Sequence, residues 1–205
     1  MAFFRLSSTS DETPVIRGGG LVIRTPRMED FEAWAALREA SRTFLVPWEP
    51  TWLDDDLTRA SFRRRLRRYS EEVRSDIAYS YLIFRAGDGA LVGGITLGQI
   101  RRGVAQTGTV GYWMGAPFAG QGIMTRAVSI LLDHAFDDMR LRRVEAACVP
   151  SNEASIRVLE RNGFRREGYA RRYLCIAGEW RDHLLYAVLR DDPRDRHEPP
   201  STGSP

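Results

Sequence analysis

Residues 117–125 read Pro-Phe-Ala-Gly-Gln-Gly-Ile-Met-Thr and lie between a strand-like run and a helix-like run. Gly120 and Gly122 let the backbone come close to an anion, and the start of the following helix offers unpaired N–H groups and the positive end of a dipole. That chemistry suits a pyrophosphate. Two glycines before a helix are as often only a tight turn, so this pattern alone does not choose. A second polar group, Ser151-Asn152-Glu153-Ala154-Ser155, opens a later helix, where Asn152 and Ser155 share one face. Ser155 could serve as a proton donor, or it could simply bond its own backbone. General-base work would fall to a carboxylate or a histidine, although a charged side chain is most often just exposed.

Composition narrows the chemistry. All 30 basic residues are arginine, a bias that a GC-rich coding sequence would also produce. No lysine Schiff base, lysine general base or P-loop lysine is possible. The net charge is +3, too mild to demand a polyanionic partner. No run of 18 apolar residues suggests a membrane span. The Phe3-Phe4 patch near the start is too short for the apolar core of a signal peptide. Two cysteines, Cys148 and Cys175, give no disulfide framework. A cytoplasmic protein without a metal is the expectation.

These residues need a scaffold. Residues 1–19 and the polar, Pro-rich 191–205 carry no hydrophobic period and are expected to be flexible. The body, 20–190, reads as one domain. Leu21-Val22-Ile23 is a strand stopped by Pro26. Asp30 opens a helix carrying Phe31, Trp34 and Leu37, and a second helix is predicted over 55–74, with Phe62, Leu66, Tyr69 and Val73 on one face. Strands follow at 78–85, 90–100 and 107–114, the first two joined at Gly87-Asp88-Gly89. Ile123, Ala127, Ile130 and Leu131 then mark a helix, 144–149 a strand, and 153–161 a short helix capped at Asn162-Gly163. A last strand pair, 164–177 and 181–189, turns at Ala177-Gly178. The order is neither pure βαβ alternation nor all-β. An α/β (α+β) mixed sheet with helices on both faces follows.

Several segments, in order, resemble one family: Leu45-Val46-Pro47-Trp48-Glu49-Pro50, Gly120-Gln121-Gly122-Ile123-Met124, Asn152 with Ser155, Asn162-Gly163-Phe164, Glu167-Gly168-Tyr169-Ala170, and Tyr173 through His183. The chain is similar to the GNAT superfamily of acetyltransferases. Within it, the match is to the RimJ/RimL type of ribosomal-protein alanine N-acetyltransferase. The family's phosphate turn has the form Gln/Arg-x-x-Gly-x-Gly/Ala. Here Ala119 stands where Gln or Arg is usual and Met124 where Gly or Ala is usual. The first departure removes a side-chain contact, and the second is expected to narrow the approach to the phosphates.

The resemblance implies a mostly antiparallel GNAT sheet, splayed between its fourth and fifth strands, with acetyl-CoA as the donor and no metal. It places Trp113, Met114, Ala119, Gly120, Gln121, Gly122, Ile123, Met124, Thr125, Asn152 and Ser155 at the cofactor. The Met114 N–H is the implied oxyanion donor and Ser155 the donor to the leaving thiolate. The tyrosine that many relatives carry one turn further on is Leu159 here. Trp48, Glu49 and Trp52 are implied on one wall of the acceptor site, with Tyr173, Trp180 and His183 opposite; each could equally be packing. Glu49, Glu167 or His183 would be the base, since the strand 107–114 holds no carboxylate. An α-amine, pKa about 7.8, is roughly one-seventh neutral at pH 7, against about four in ten thousand for a lysine amine. A weakly equipped site therefore favours the N-terminal α-amine of a ribosomal or other protein.

Two rivals keep a sequence basis. A small-molecule amine, an antibiotic or polyamine, would want acids near the acceptor loop, and Asp54-Asp55-Asp56 could supply them or simply suit a helix start. A ribosome- or nucleic-acid-binding module would use Arg63 to Arg68, though Glu71 and Glu72 make a solvated helix face the plainer reading. Ribosome contact, and a monomeric or homodimeric state, are compatible with any of these.

Overall fold

The computed structural model describes residues 15–194. One sheet of eight strands runs in the order β1-β2-β3-β4-β5-β6-β8-β7. Its strands are β1 (Ile16–Gly18), β2 (Leu21–Arg24), β3 (Tyr79–Arg85), β4 (Leu91–Arg101), β5 (Thr107–Met114), β6 (Arg143–Cys148), β7 (Arg165–Ile176) and β8 (Glu179–Leu189). The pairing of β5 with β6 is parallel and the rest is antiparallel. The helices are α1 (Phe31–Ala40), α2 (Arg42–Leu45), α3 (Arg59–Arg74), α4 (Ile123–Asp133) and α5 (Glu153–Arg161).

Strand alternation divides the core in two. Along β3, Tyr81 and Ile83 face a large cluster with Ile123, Ala127, Val128, Leu131 and Leu159 of α4 and α5. Leu82 and Phe84 face the other way, onto Phe31 and Trp34 of α1 and Phe62 of α3. The sheet is thus covered on both faces, as its apolar content requires.

Three expectations shift and one is qualified. Residues 16–18, placed in the flexible start, form a strand, with Ile16 opposite Ile23; three residues are too few to show a period. Asp30 opens α1 as expected, but its carboxylate bonds no N–H of that helix. Asp30 is 6% exposed and is bonded by both terminal nitrogens of Arg24, at 2.8 and 2.6 Å. The helix expected from 55 starts at Arg59, because Asp55 and Asp56 are spent on a turn: Asp55 O accepts from Thr58 N (3.0 Å) and Asp56 Oδ2 from Leu53 N (2.8 Å). Thr58 is the actual cap, its hydroxyl accepting from Ser61 N. At the other end, Arg194 is packed rather than loose, with its guanidinium over Phe136 and ion-paired to Asp133. The remainder of the expected tail, 195–205, and residues 1–14 lie outside the described residues.

Candidate active site

The sheet opens where its parallel pair parts. β5 and β6 are in register only from Thr107–Arg143 to Thr109–Glu145. Beyond that, β5 stays with β4 as far as Met114 opposite Gly93, while β6 stays with β8 as far as Cys148 opposite Leu184. The strands diverge into a wedge, the splay expected between the fourth and fifth strands if short β1 is left out of the count. A cleft of about 800 Å³ runs through it, large enough for a sizeable ligand. Gly115 N–H donates to Val92 O across β4 (2.9 Å). By the alternation of a strand, the preceding Met114 N–H turns the other way, into the wedge. Glycine at 93 and 94 permits this packing. A Cβ at 93 would stand 2.5 Å from the Trp113 carbonyl oxygen, and one at 94 would stand 2.3 Å from Trp113 Nε1.

Next along the cleft comes the Gly turn. Gly120 and Gly122 have φ of 74° and 70°, values that L residues adopt only with strain. Gly122 begins α4 with no side-chain cap, and no acidic residue stands in the first turn. The first N–H with a carbonyl one turn back is that of Arg126, to Gly122 O (3.2 Å). The N–H groups of Ile123, Met124 and Thr125 are left for an outside acceptor. Arg126 also donates to Gln121 O (3.4 Å), which brings a cation to the turn, and Gln121 Nε2 is spent on Pro117 O (3.0 Å). Met124 is 7% exposed and packs into the larger core. Its bulk therefore goes inward, against the expected narrowing of the phosphate approach. Residues Ala119 to Thr125 all line the cleft, and the unclaimed donors fit a pyrophosphate.

Opposite the turn, Asn152 caps α5, its Oδ1 accepting from Ser155 N (3.0 Å). Ser155 Oγ lies 2.9 Å from the hydroxyl of Tyr112. Burial pushes the Tyr112 phenol above its ordinary range, partly opposed by the Ser155 bond. Burial likewise pushes the Cys148 thiol, which touches Ser155 in the same slot, up to about 11. At neutral pH all three groups keep their protons. The position on α5 where many relatives carry a tyrosine is Leu159 here, and it is buried. Tyr112 brings a phenol from the strand side instead. Its signal was available: residues 110, 112 and 114 share the face that meets α4 and α5.

The far end of the cleft is walled by Phe44, Trp48 and Glu49 on one side and by Leu174, Ile176 and His183 on the other. The two walls are tied together, since Ala177 N donates to Glu49 O (2.8 Å). Glu49 is not a free base. Arg38 grips both its oxygens, at 3.0 and 2.5 Å, and Trp52 Nε1 donates to Oε2 at 2.7 Å. The Arg38 guanidinium lies over Trp52 (4.3 Å) and Trp113 (4.9 Å), so Trp52 is part of this anchor and does not line the cleft. Glu167 is absent from the lining. It pairs with Arg143, which holds its carboxyl below the usual range. Trp180 is 65% exposed and also absent from the lining. Tyr173 stands edge-on to His183, with ring centres 5.8 Å apart, but does not itself line the cleft. His183 is 2% exposed, and its Nδ1 is 3.0 Å from Arg181 O. A carbonyl can only accept, so Nδ1 is the donor here, which leaves Nε2 as the nitrogen facing proton exchange.

Residues 20–165 match the family described as Acetyltransferase (GNAT) domain. The chain belongs to the GNAT acetyltransferases. A probable N-acetyltransferase of Bacillus subtilis, YjcK, is 37% identical over 178 residues, covering 87% of this chain and 98% of the relative. The [ribosomal protein uS5]-alanine N-acetyltransferase of Escherichia coli is 30% identical, covering 84% and 89% respectively. Among solved structures, Mycobacterium smegmatis RimJ in complex with CoA-disulfide is 35% identical, with a TM-score of 0.80 over 86% of each chain. The wedge is therefore the candidate acyl-transfer site of this GNAT enzyme. Among the described residues, no cluster of three or more His, Cys, Asp or Glu could hold a metal, and no helix is long and apolar enough to cross a membrane.

Proposed function

We propose that this GNAT enzyme transfers the acetyl group of acetyl-CoA to the N-terminal α-amine of a protein, a ribosomal protein by analogy with the uS5 enzyme. One observation carries the choice of acceptor. The two carboxylates that line the cleft, Glu49 and Glu153, are each paired with an arginine, Arg38 and Arg157. The remaining cleft side chain that could take up a proton is His183, through Nε2. That suits an amine already partly deprotonated near pH 7, with a pKa of about 7.8, better than a lysine amine. The acids at 54–56 give the polyamine reading no support, since Asp55 and Asp56 are paired with Arg64 and Arg65. Three of the five arginines at 63–68, Arg64, Arg65 and Arg68, are likewise paired within the chain, which weakens the nucleic-acid reading. A cytoplasmic location fits a ribosomal acceptor.

Acetyl-CoA, when bound, supplies an activated acyl carbon on a thioester. The first-turn N–H groups of α4 and Arg126 would hold its pyrophosphate. The Met114 N–H stabilises negative charge growing on the acyl oxygen. Trp48 and Phe44 wall in the incoming amine, and His183 Nε2 takes its proton. Ser155 Oγ, itself bonded to Tyr112, returns a proton to the departing sulfur. The N–C bond forms as the C–S bond breaks; His183 then releases the amine's proton to solvent in the open cleft, and solvent returns one proton to the Ser155–Tyr112 pair, which ends neutral. Peptides with a free α-amine, offered beside the same peptides blocked at the N-terminus but carrying a lysine, test this reading. Acetylation confined to the free α-amine supports it, and faster lysine acetylation overturns it.

A further inference from the structure

The mechanism uses the N-terminal half of α5 and leaves its other end unexplained. Ser155 lies in the wedge beside Tyr112. Six residues later, about 9 Å along a helix, Arg161 also lines the cleft. The C-terminus of α5 is fixed against the first turn of α4, because Asn162 Nδ2 donates to Thr125 O (3.2 Å). Helix α5 therefore runs from the acyl end of the cleft to its phosphate end, with Arg161 beside the anion turn. Its place in the last turn already suits the helix dipole, yet its guanidinium is exposed at the cleft and pairs with no acid among the described residues. Arg157, one turn earlier, is held by Glu153 at 3.2 Å.

We propose that Arg161 is a specificity residue that binds the 3′-phosphate of coenzyme A, beyond the pyrophosphate held by α4. The proposal rests on the acetyl-CoA reading above. A phosphate monoester offers strong acceptors to a planar guanidinium, and such charge-assisted pairs are stronger than neutral ones. Because the site is exposed, the effect should weaken with salt.

Isothermal titration of the full chain with CoA and with dephospho-CoA tests it directly. The wild type should bind CoA about ten-fold tighter, ~1.4 kcal/mol. Arg161→Gln should weaken CoA binding by about that factor and leave dephospho-CoA binding unchanged, with Arg161→Lys intermediate. An unliganded melting point equal to that of the wild type confirms the variants are folded. Equal loss for both ligands, or no loss for either, overturns the proposal. Binding of neither ligand by the wild type overturns the acetyl-CoA reading, and this proposal with it.

Discussion

Glu49 is where sequence and structure assign different work to one residue, and a mutant cycle separates them. As a base, Glu49 would be irreplaceable and indifferent to Arg38. As an anchor, it should fail together with Arg38. The pair is well buried, with side chains 13% and 19% exposed, and Arg38 Nε has no partner to begin with. Removing Arg38 strands the buried carboxylate, at a cost of about 3–5 kcal/mol. Arg38→Met leaves the carboxylate only the Trp52 indole. Glu49→Gln retains an acceptor for that indole, so its cost should lie nearer 2 kcal/mol, in the range for one hydrogen bond to a charged group. For a chain of this length, each kcal/mol lowers the melting point by about 2–4 °C. Arg38→Met should therefore melt roughly 6–20 °C lower. The double variant should cost about 2 kcal/mol less than the sum of the singles, because one interaction is lost once. In steady-state kinetics, all three variants should raise KM for the acceptor, since the loop tied to Ala177 loosens. The shape of the pH profile should not change. If Glu49→Gln lost three decades of kcat while melting normally and Arg38→Met kept full kcat, the anchor argument would be wrong.

His183→Ala should lower kcat/KM by about 10²–10⁴, the usual contribution of a general base, and imidazole added to the buffer should restore part of it. Ser155→Ala and Tyr112→Phe should each reduce kcat more than KM, and combining them should add little, because the two hydroxyls form one hydrogen-bonded pair 2.9 Å apart. Cys175 is exposed and should be alkylated first. With its pKa pushed up to about 11, Cys148 should react slowly near neutrality and about ten-fold faster per pH unit until that pKa, because only the thiolate attacks. CoA should protect Cys148, which lines the cleft, and leave Cys175 reactive; mass mapping of the labelled peptides reads both.

Much of the fold was legible because short-range rules set it. Alternation along β3, helical spacing along α4 and the Ala177-Gly178 turn each announced an element within a couple of residues of its observed bounds. The Gly turn was legible for the same reason: a left-handed backbone before an uncapped helix is a local demand. What local rules do not encode is pairing at a distance. Arg38 meets Glu49 eleven residues on, and Tyr112 meets Ser155 forty-three residues on. Nothing in a single sequence distinguishes Glu49, gripped by an arginine, from a free carboxylate. Glu167 misled for the same reason, its partner Arg143 lying across the sheet. Trp180 and Tyr173 misled because alternation along a hairpin says which side chains share a face, not which of them reaches the cleft.

The central claim is acetyl transfer from acetyl-CoA to a protein N-terminus. It is tested most directly by incubating the purified chain with acetyl-CoA and the unblocked N-terminal peptides of ribosomal proteins, beside a polyamine and an aminoglycoside, and weighing the products. The account predicts a gain of one acetyl group on a peptide α-amine, strongly reduced in His183→Ala. Acetylated small amines with every peptide untouched would contradict the acceptor assignment, and intact acetyl-CoA in every reaction would contradict the donor.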